Sequence, residues 1–260
     1  MPPSLSADDV PKQRVGSLDF SVIPLSEAIE LLVELTSNTQ SVGTAVHFAN
    51  AYNVALADTD PGYQELLLKG DLVFSDGTPI VWAGRRFYPE QASRWTRVYG
   101  PDVMRGVLEQ SAANGPRHYL LGGTTTTLAL LEKTIAEQWP QAQIVGSESP
   151  DFSAPSAQEL LERDQRIRDS GASCVWVGLG TPKQDYEVGR LVRSLPVTAL
   201  AVGAAFDFIA GTVEQAPRWM QRSGLEWTFR LAREPRRLAK RYFWGNPRFI
   251  ASVVRQRRHS

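Results

Sequence analysis

Along the chain, short apolar or β-branched runs alternate with longer amphipathic stretches, as when strands and helices take turns. The runs "TAVHFA" (44–49), "LVFS" (72–75), "HYLLG" (118–122), "QIVGS" (143–147), "CVWVG" (174–178) and "VTALAVG" (197–203) read as strands. The stretches between them open on helix-start signals: Pro61 after Asp60, Pro101 ahead of "DVMRGVLEQSAA", and Ser156 with Glu159 as a capping box. Apolar strands joined by helices predict an α/β fold, a mostly parallel Rossmann-like sheet with helices on both faces. No repeat or low-complexity linker divides the body.

Charge changes this picture at the C-terminal end. The 28 basic and 28 acidic side chains balance overall, yet residues 214–260 carry 12 Lys/Arg against three acids, a net +9, and residues 1–213 carry −9. The expected division is an α/β body (1–213) and a basic helical appendage (214–260) that meets an anionic partner. In the appendage, Pro235 suits a first helical position and Pro247 restarts the chain after Gly245-Asn246, which predicts two or three short helices. In the last of them Phe249, Ile250, Val253 and Val254 can share one face flanked by Arg248, Arg255 and Arg258, the pattern of an interfacial helix.

Composition narrows the setting. A chain of 260 residues with a 42% hydrophobic share supports a real core. Its one cysteine, Cys174, lies in an apolar run and reads as a buried strand thiol. The N-terminal residues lack the apolar segment of a secretory signal, and no stretch approaches the roughly 18 apolar residues of a spanning helix. A cytoplasmic protein, peripheral on the inner face of the cell membrane, is expected.

In folds of this class ligands bind beyond the carboxyl ends of the strands, so the strand-end loops carry the candidate chemistry. "LLGGTTTT" (120–127) places Gly122 and Gly123 between a strand and a helix, where backbone N–H groups can approach a phosphate. "VGLGTPKQD" (177–185) repeats the arrangement with Gly178 and Gly180, then offers Lys183 and Gln184. Neither has the dinucleotide fingerprint or the P-loop spacing, which excludes a standard NAD or ATP site and leaves a nucleotide diphosphate favoured over plain tight turns. "FSDGTPIVWAGRR" (74–86) poses a choice. Asp76 can cap a turn in which Gly77 supplies a positive φ, or it can take a proton; the two roles are compatible. His47 and His118 alternate with apolar strand residues and read as structural, and Trp82, Trp176 and Trp219 read as packing in a core or interface.

Five blocks in this order carry a resemblance: "FANAYNVALADTDPGYQELLLKGDLVFSDGTPIVWAGR", "RVYGPDVM", "YLLGG", "VGLGTPKQDYE" and "FDFIAGTVEQAPRWMQRSGLEWTFRLAREPRRLAKRY". Together, over roughly residues 18–250, they resemble the WecG/TagA/CpsF family of bacterial glycosyltransferases, glycosyltransferase family 26. The resemblance implies an inverting transferase that moves a hexosyl or N-acetylhexosaminyl group from a UDP-sugar to a polyprenyl-pyrophosphate-linked saccharide, in teichoic acid, exopolysaccharide or related cell-wall synthesis. It also implies that Asp76 is the general base. Single displacement needs one carboxylate within reach of the acceptor hydroxyl. Backbone donors and cations then take the charge of the leaving diphosphate.

Other site expectations each stand beside a structural alternative. Asn50 matches a polar active-site position or caps a strand end; Arg97 binds donor or pairs with a carboxylate. Asp102 binds donor or caps a helix, and Asp207 contacts ligand or has an arginine partner. Gly122, Gly123, Gly180, Lys183 and Gln184 complete the nucleotide-sugar set. Arg230, Arg237 and Lys240, spaced 7 and 3 apart, receive the lipid pyrophosphate or form a solvated face. The formal "DTD" of Asp58, Thr59 and Asp60 reads as a helix cap, so no cofactor and metal-independent catalysis are expected. Two departures stand out: Phe48 replaces a threonine common in the family, and Ala204-Ala205 replaces a Gly-Gly pair. The competing class is a non-catalytic regulatory protein that binds nucleotide and anionic membrane; nucleic-acid binding is disfavoured by the acidic body.

Overall fold

The computed structural model describes residues 6–37, 41–112, 115–151 and 153–259. Its strands are β1 (Lys12–Val15), β2 (Leu18–Ser21), β3 (Thr44–Ala49), β4 (Leu72–Ser75), β5 (Arg117–Gly122), β6 (Gln143–Glu148), β7 (Cys174–Gly178) and β8 (Thr198–Ala201). Its helices are α1 (Leu25–Ser37), α2 (Ala51–Ala57), α3 (Pro61–Leu68), α4 (Thr78–Phe87), α5 (Gly100–Glu109), α6 (Thr125–Gln138), α7 (Ala157–Asp169), α8 (Lys183–Ser194), α9 (Ala205–Ile209), α10 (Arg218–Arg222), α11 (Glu226–Arg233) and α12 (Pro235–His259). Strands β3 to β8 form one all-parallel sheet flanked by helices, in the order β4-β3-β8-β7-β5-β6. The expected fold class holds. The starts predicted at Asp60-Pro61 and at Ser156/Glu159 are realised as a side-chain N-cap and a capping box.

Chain contacts divide the molecule into two units. The first holds Ser26–His47 and Gly100–Val213. Its core packs Leu121, Val175, Val177 and Ala199 of the sheet against Ile167 of α7 and Val188 and Leu191 of α8. Cys174 is buried, and burial pushes its thiol pKa well up, as befits an inert strand thiol. The second holds Asp8–Leu25, Phe48–Tyr99 and Glu214–Ser260. Here the β1–β2 hairpin contributes Val15, Leu18 and Phe20 to a core with Val54, Tyr63, Val73, Ile80, Trp95 and Phe249. One division point coincides with the charge boundary at 213/214, and residues 214–260 group with 8–25 and 48–99.

The C-terminal segment corrects one expectation. Pro247 does not restart the chain: α12 runs through it for 25 residues. A helical proline costs about 3 kcal/mol, and contacts on both sides of it oppose that cost. Leu238 and Phe249 are buried, the Ser252 hydroxyl donates to Asp58, and Gln256 accepts from Gly16 N–H while donating to the Arg14 carbonyl. The proposed single apolar face is therefore split. Phe249 and Val253 join the core, whereas Ile250 and Val254 stay exposed. Of the tryptophans, Trp176 is buried but Trp82 and Trp219 are exposed.

His118 is structural, as expected, and its tautomer follows from its neighbours. Trp176 Nε1–H donates to His118 Nδ1 at 3.1 Å, so the ring proton sits on Nε2 and is given to Ser111 Oγ at 3.0 Å, whose own proton goes to the Val107 carbonyl. A second ring proton would face the indole N–H. Burial accordingly lowers the His118 pKa to about 4. Because the unfolded chain protonates first, near the ordinary imidazole value of 6.5, this stabilisation is complete above pH 6.5 and is lost as the pH falls toward 4. We predict that urea titrations from pH 7 to 4 show a decline of up to about 3 kcal/mol that is absent in His118→Gln; equal slopes in the two proteins would refute it.

Candidate active site

In the second unit, β4 delivers its end to a polar turn. Val98 N–H donates to the Ser75 carbonyl and Asp76 N–H to the Ala49 carbonyl, at 2.9 and 3.0 Å. The expectation for Gly77 fails: its φ is −114°, outside the left-handed region, and it is itself the N-cap of α4. A Cβ at Gly77 would lie 3.2 Å from that of Asn50, so glycine serves a close approach there rather than a positive φ. Asn50 does cap α2, accepting from Tyr52 N–H while its own N–H goes to Asn53 Oδ1. Asn50, Asp76, Arg97, Tyr99, Glu226 and Arg230 together line a cavity of about 530 Å³.

Arg97 is held on three sides. Its Nε donates to the Asp76 carbonyl at 2.8 Å, its terminal nitrogen meets Glu226 Oε2 at 2.5 Å, and its guanidinium carbon lies 3.7 Å from the centre of the Tyr99 ring. Tyr99 also donates its hydroxyl to Glu226 Oε1 at 2.8 Å. Burial opposes the Arg97 charge, but Glu226 and Asp76 outweigh it and hold the pKa above its ordinary value. Burial, with the same two carboxylates, raises the Tyr99 hydroxyl well above its own, so it remains a donor. Arg241, stacked 4.5 Å over the Tyr52 ring, reaches Asn50 Oδ1 at 3.4 Å; burial lowers its pKa and the neighbouring Arg230 adds to the effect.

The first unit has its own cavity, about 900 Å³, walled by Gly123, Thr124, Glu148, Arg163, Lys183 and Asp207 among others. Gly122 (φ +127°) permits the approach of β7, since a Cβ there would lie 2.5 Å from the Gly178 carbonyl oxygen; Gly123 (φ +68°) makes the turn into α6, which Thr124 caps. One wall is a chain of ion pairs: Arg163 bridges Glu148 and Glu187, and Arg190 joins Glu187 to Asp164. Gln184 is buried beneath the turn, accepting from Gly180 N–H at 3.0 Å and donating to the Ala201 carbonyl at 2.9 Å. Among the described residues, Asp207 has Thr212 rather than an arginine as its hydrogen-bond partner.

These strand-end turns coincide with the blocks that carried the resemblance. The model of the glycosyl transferase WecG/TagA/CpsF family matches residues 13–260, nearly the whole chain. The chain belongs to that family. It is therefore a glycosyltransferase of the kind that serves cell-surface polysaccharide synthesis. No helix among the described residues is long and apolar enough to cross a membrane.

Within this WecG/TagA/CpsF chain, the structure gathers some sequence-predicted residues and not others. Asn50, Asp76, Arg97 and Arg230 share one cavity; Gly123, Lys183 and Asp207 share the other. Asp102 lies on neither wall, in the first turn of α5 beside Arg105 at 3.6 Å. Lys240 is exposed, and the Arg237 side chain lies outside the described residues. Asp58 and Asp60 are occupied structurally, Asp60 by the α3 N-terminus and Asp58 by Arg255 and Ser252. Phe48 is buried, its ring 5.8 Å from that of Phe74. Sequence reasoning missed Glu226, Tyr99 and Arg241, although the "YGP" and "GLEW" motifs contain the first two. Because the Gln184 amide serves the Gly180 N–H and the buried Ala201 carbonyl, Gln184→Ala should lower unfolding free energy by about 1–3 kcal/mol. Unchanged urea stability with lost nucleotide binding would instead assign it to ligand.

Proposed function

We propose that this glycosyltransferase inverts: Asp76 deprotonates the acceptor hydroxyl of a polyprenyl-pyrophosphate-linked saccharide as that oxygen attacks the anomeric carbon of a UDP-sugar. The proton passes to the Asp76 carboxylate, and the anomeric C–O bond electrons leave with UDP. The observation that carries this reading is a carboxylate at a strand end in a cavity that also holds Arg97, Arg230 and Arg241. Cations there suit a site handling pyrophosphate, since fixed positive charge stabilises a developing anion without reorganisation. In the first unit, the Gly123 turn, Lys183 and Asp207 line a cavity whose backbone N–H groups and ammonium suit a nucleotide's phosphates. Protein cations take the role that a metal plays in many sugar-nucleotide transferases, so catalysis is metal-independent.

The same reading places the enzyme on the inner leaflet. Phe243, Ile250 and Val254 of α12 are 76%, 60% and 44% exposed, and they are interspersed with Arg248, Arg255, Arg257 and Arg258. Apolar contact and about 1 kcal/mol per basic residue near an anionic surface act together.

With a panel of UDP-sugars, a polyprenyl-pyrophosphate acceptor and EDTA, Asp76→Asn should lose about 10²–10⁴-fold in kcat while UDP affinity stays within about threefold. Turnover by Asp76→Asn near the wild-type rate overturns the base assignment. Replacing Phe243 and Ile250 by Glu should cut co-sedimentation with vesicles containing phosphatidylglycerol by about tenfold or more; wild-type binding by that variant removes the interfacial role of α12.

A further inference from the structure

We propose that Glu226 is a positioning residue for the transfer reaction, acting by presenting Arg97 to the leaving diphosphate. The proposal rests on the roles given to Asp76 and Arg97 above. Glu226 is the first residue of α11, where a carboxylate is favoured by the helix dipole, and it lies one turn before Arg230 on the same cavity wall. Both carboxylate oxygens are used, one by Arg97 and the other by the Tyr99 hydroxyl. Tyr99 also supplies the face on which the guanidinium lies. Glu226 therefore fixes Arg97 directly and through Tyr99, while Arg97 fixes the Asp76 carbonyl.

The consequence is a link between α11 and the turn that carries the base. Only 12% of the Glu226 side chain and 20% of the Arg97 side chain are exposed, so the pair is shielded from competing water. An arginine tethered at its Nε, one terminal nitrogen and its face has little rotational freedom left. Its remaining donors can thus be aimed before substrate arrives. A diphosphate gains most from such a cation when its charge develops at departure, because a preset donor needs no reorganisation at that moment. Loss of Glu226 would leave the Arg97 charge in place but release its direction. The effect should fall on turnover more than on ground-state affinity.

The test is a double-mutant cycle of Glu226→Ala with Arg97→Ala, run with the productive UDP-sugar, with UDP affinity and melting temperature measured on all four proteins. Glu226→Ala should lower kcat about 10- to 100-fold with UDP affinity within about threefold, and the double variant should be no slower than Arg97→Ala. Glu226→Gln, which keeps an acceptor for Arg97 or Tyr99, should recover to within about tenfold of wild type. Multiplicative losses in the double variant, or wild-type kcat in Glu226→Ala, overturn the proposal. Should Asp76→Asn stay active, the base assignment fails while the cycle still reports on Glu226. Should wild-type protein transfer no sugar from any donor, the transfer reading fails and the proposal, which rests on it, falls with it.

Discussion

One guanidinium, that of Arg97, ties the candidate catalytic turn to α11. Arg97 closes a loop of contacts from the Asp76 carbonyl through its own fork to Glu226 and Tyr99. An ion taken out of water costs several kcal/mol unless geometry and hydrogen bonds compensate it, and removal of one partner exposes that cost. Hence the surroundings of Arg97 are constrained as strongly as Arg97 itself. The carboxylate, the tyrosine hydroxyl and the aromatic face must all be present for the charge to remain in a partly enclosed cavity. That demand explains why α11 presents an acid at its first position and why Tyr99 keeps its proton.

The first unit handles its polar interior by the same rule with different parts. Along one cavity wall, Arg163 and Arg190 are interleaved with Glu148, Glu187 and Asp164, so each charge has at least one opposite neighbour. Burial would raise the pKa of Glu148, but the hydrogen bonds from Arg163 and Arg166 outweigh it and keep the group ionised. Burial likewise opposes the Arg190 charge, and Glu187 and Asp164 prevail. Beneath the next turn Gln184 solves the equivalent problem for two backbone groups without using charge. Paired in this way, the charged side chains of that wall are held by one another before any ligand binds.

Much of this was legible before the structure, and the failures have identifiable causes. Parallel strands are covered on both faces and therefore appear as apolar runs; β3, β4 and β7 have the bounds that their runs predicted. The β1–β2 hairpin escaped because Lys12, Gln13, Arg14 and Asp19 break any such run, and its strands are four residues each. Pro247 misled because local propensity says nothing of the contacts that Phe249, Ser252 and Gln256 make. At Gly77 the sequence displays the glycine but not its cause, a neighbour 27 positions earlier, Asn50.

The sequence by itself determined the alternation of strands and helices, the charge boundary at 213/214, the strand-end turns and the identity of the carboxylate at the end of β4. Each is written in consecutive residues, because strand periodicity, capping and turn chemistry act over a few positions. Only the tertiary structure decided that Asp60 serves a cap while Asp58 takes Arg255, that Gln184 supports a turn, that Arg230 and Arg241 rather than Lys240 line the cavity, and that Glu226 meets an arginine 129 positions before it. Those outcomes turn on which charges are buried together. Burial is set by the packing of distant segments, and desolvation makes the choice of partner costly to change.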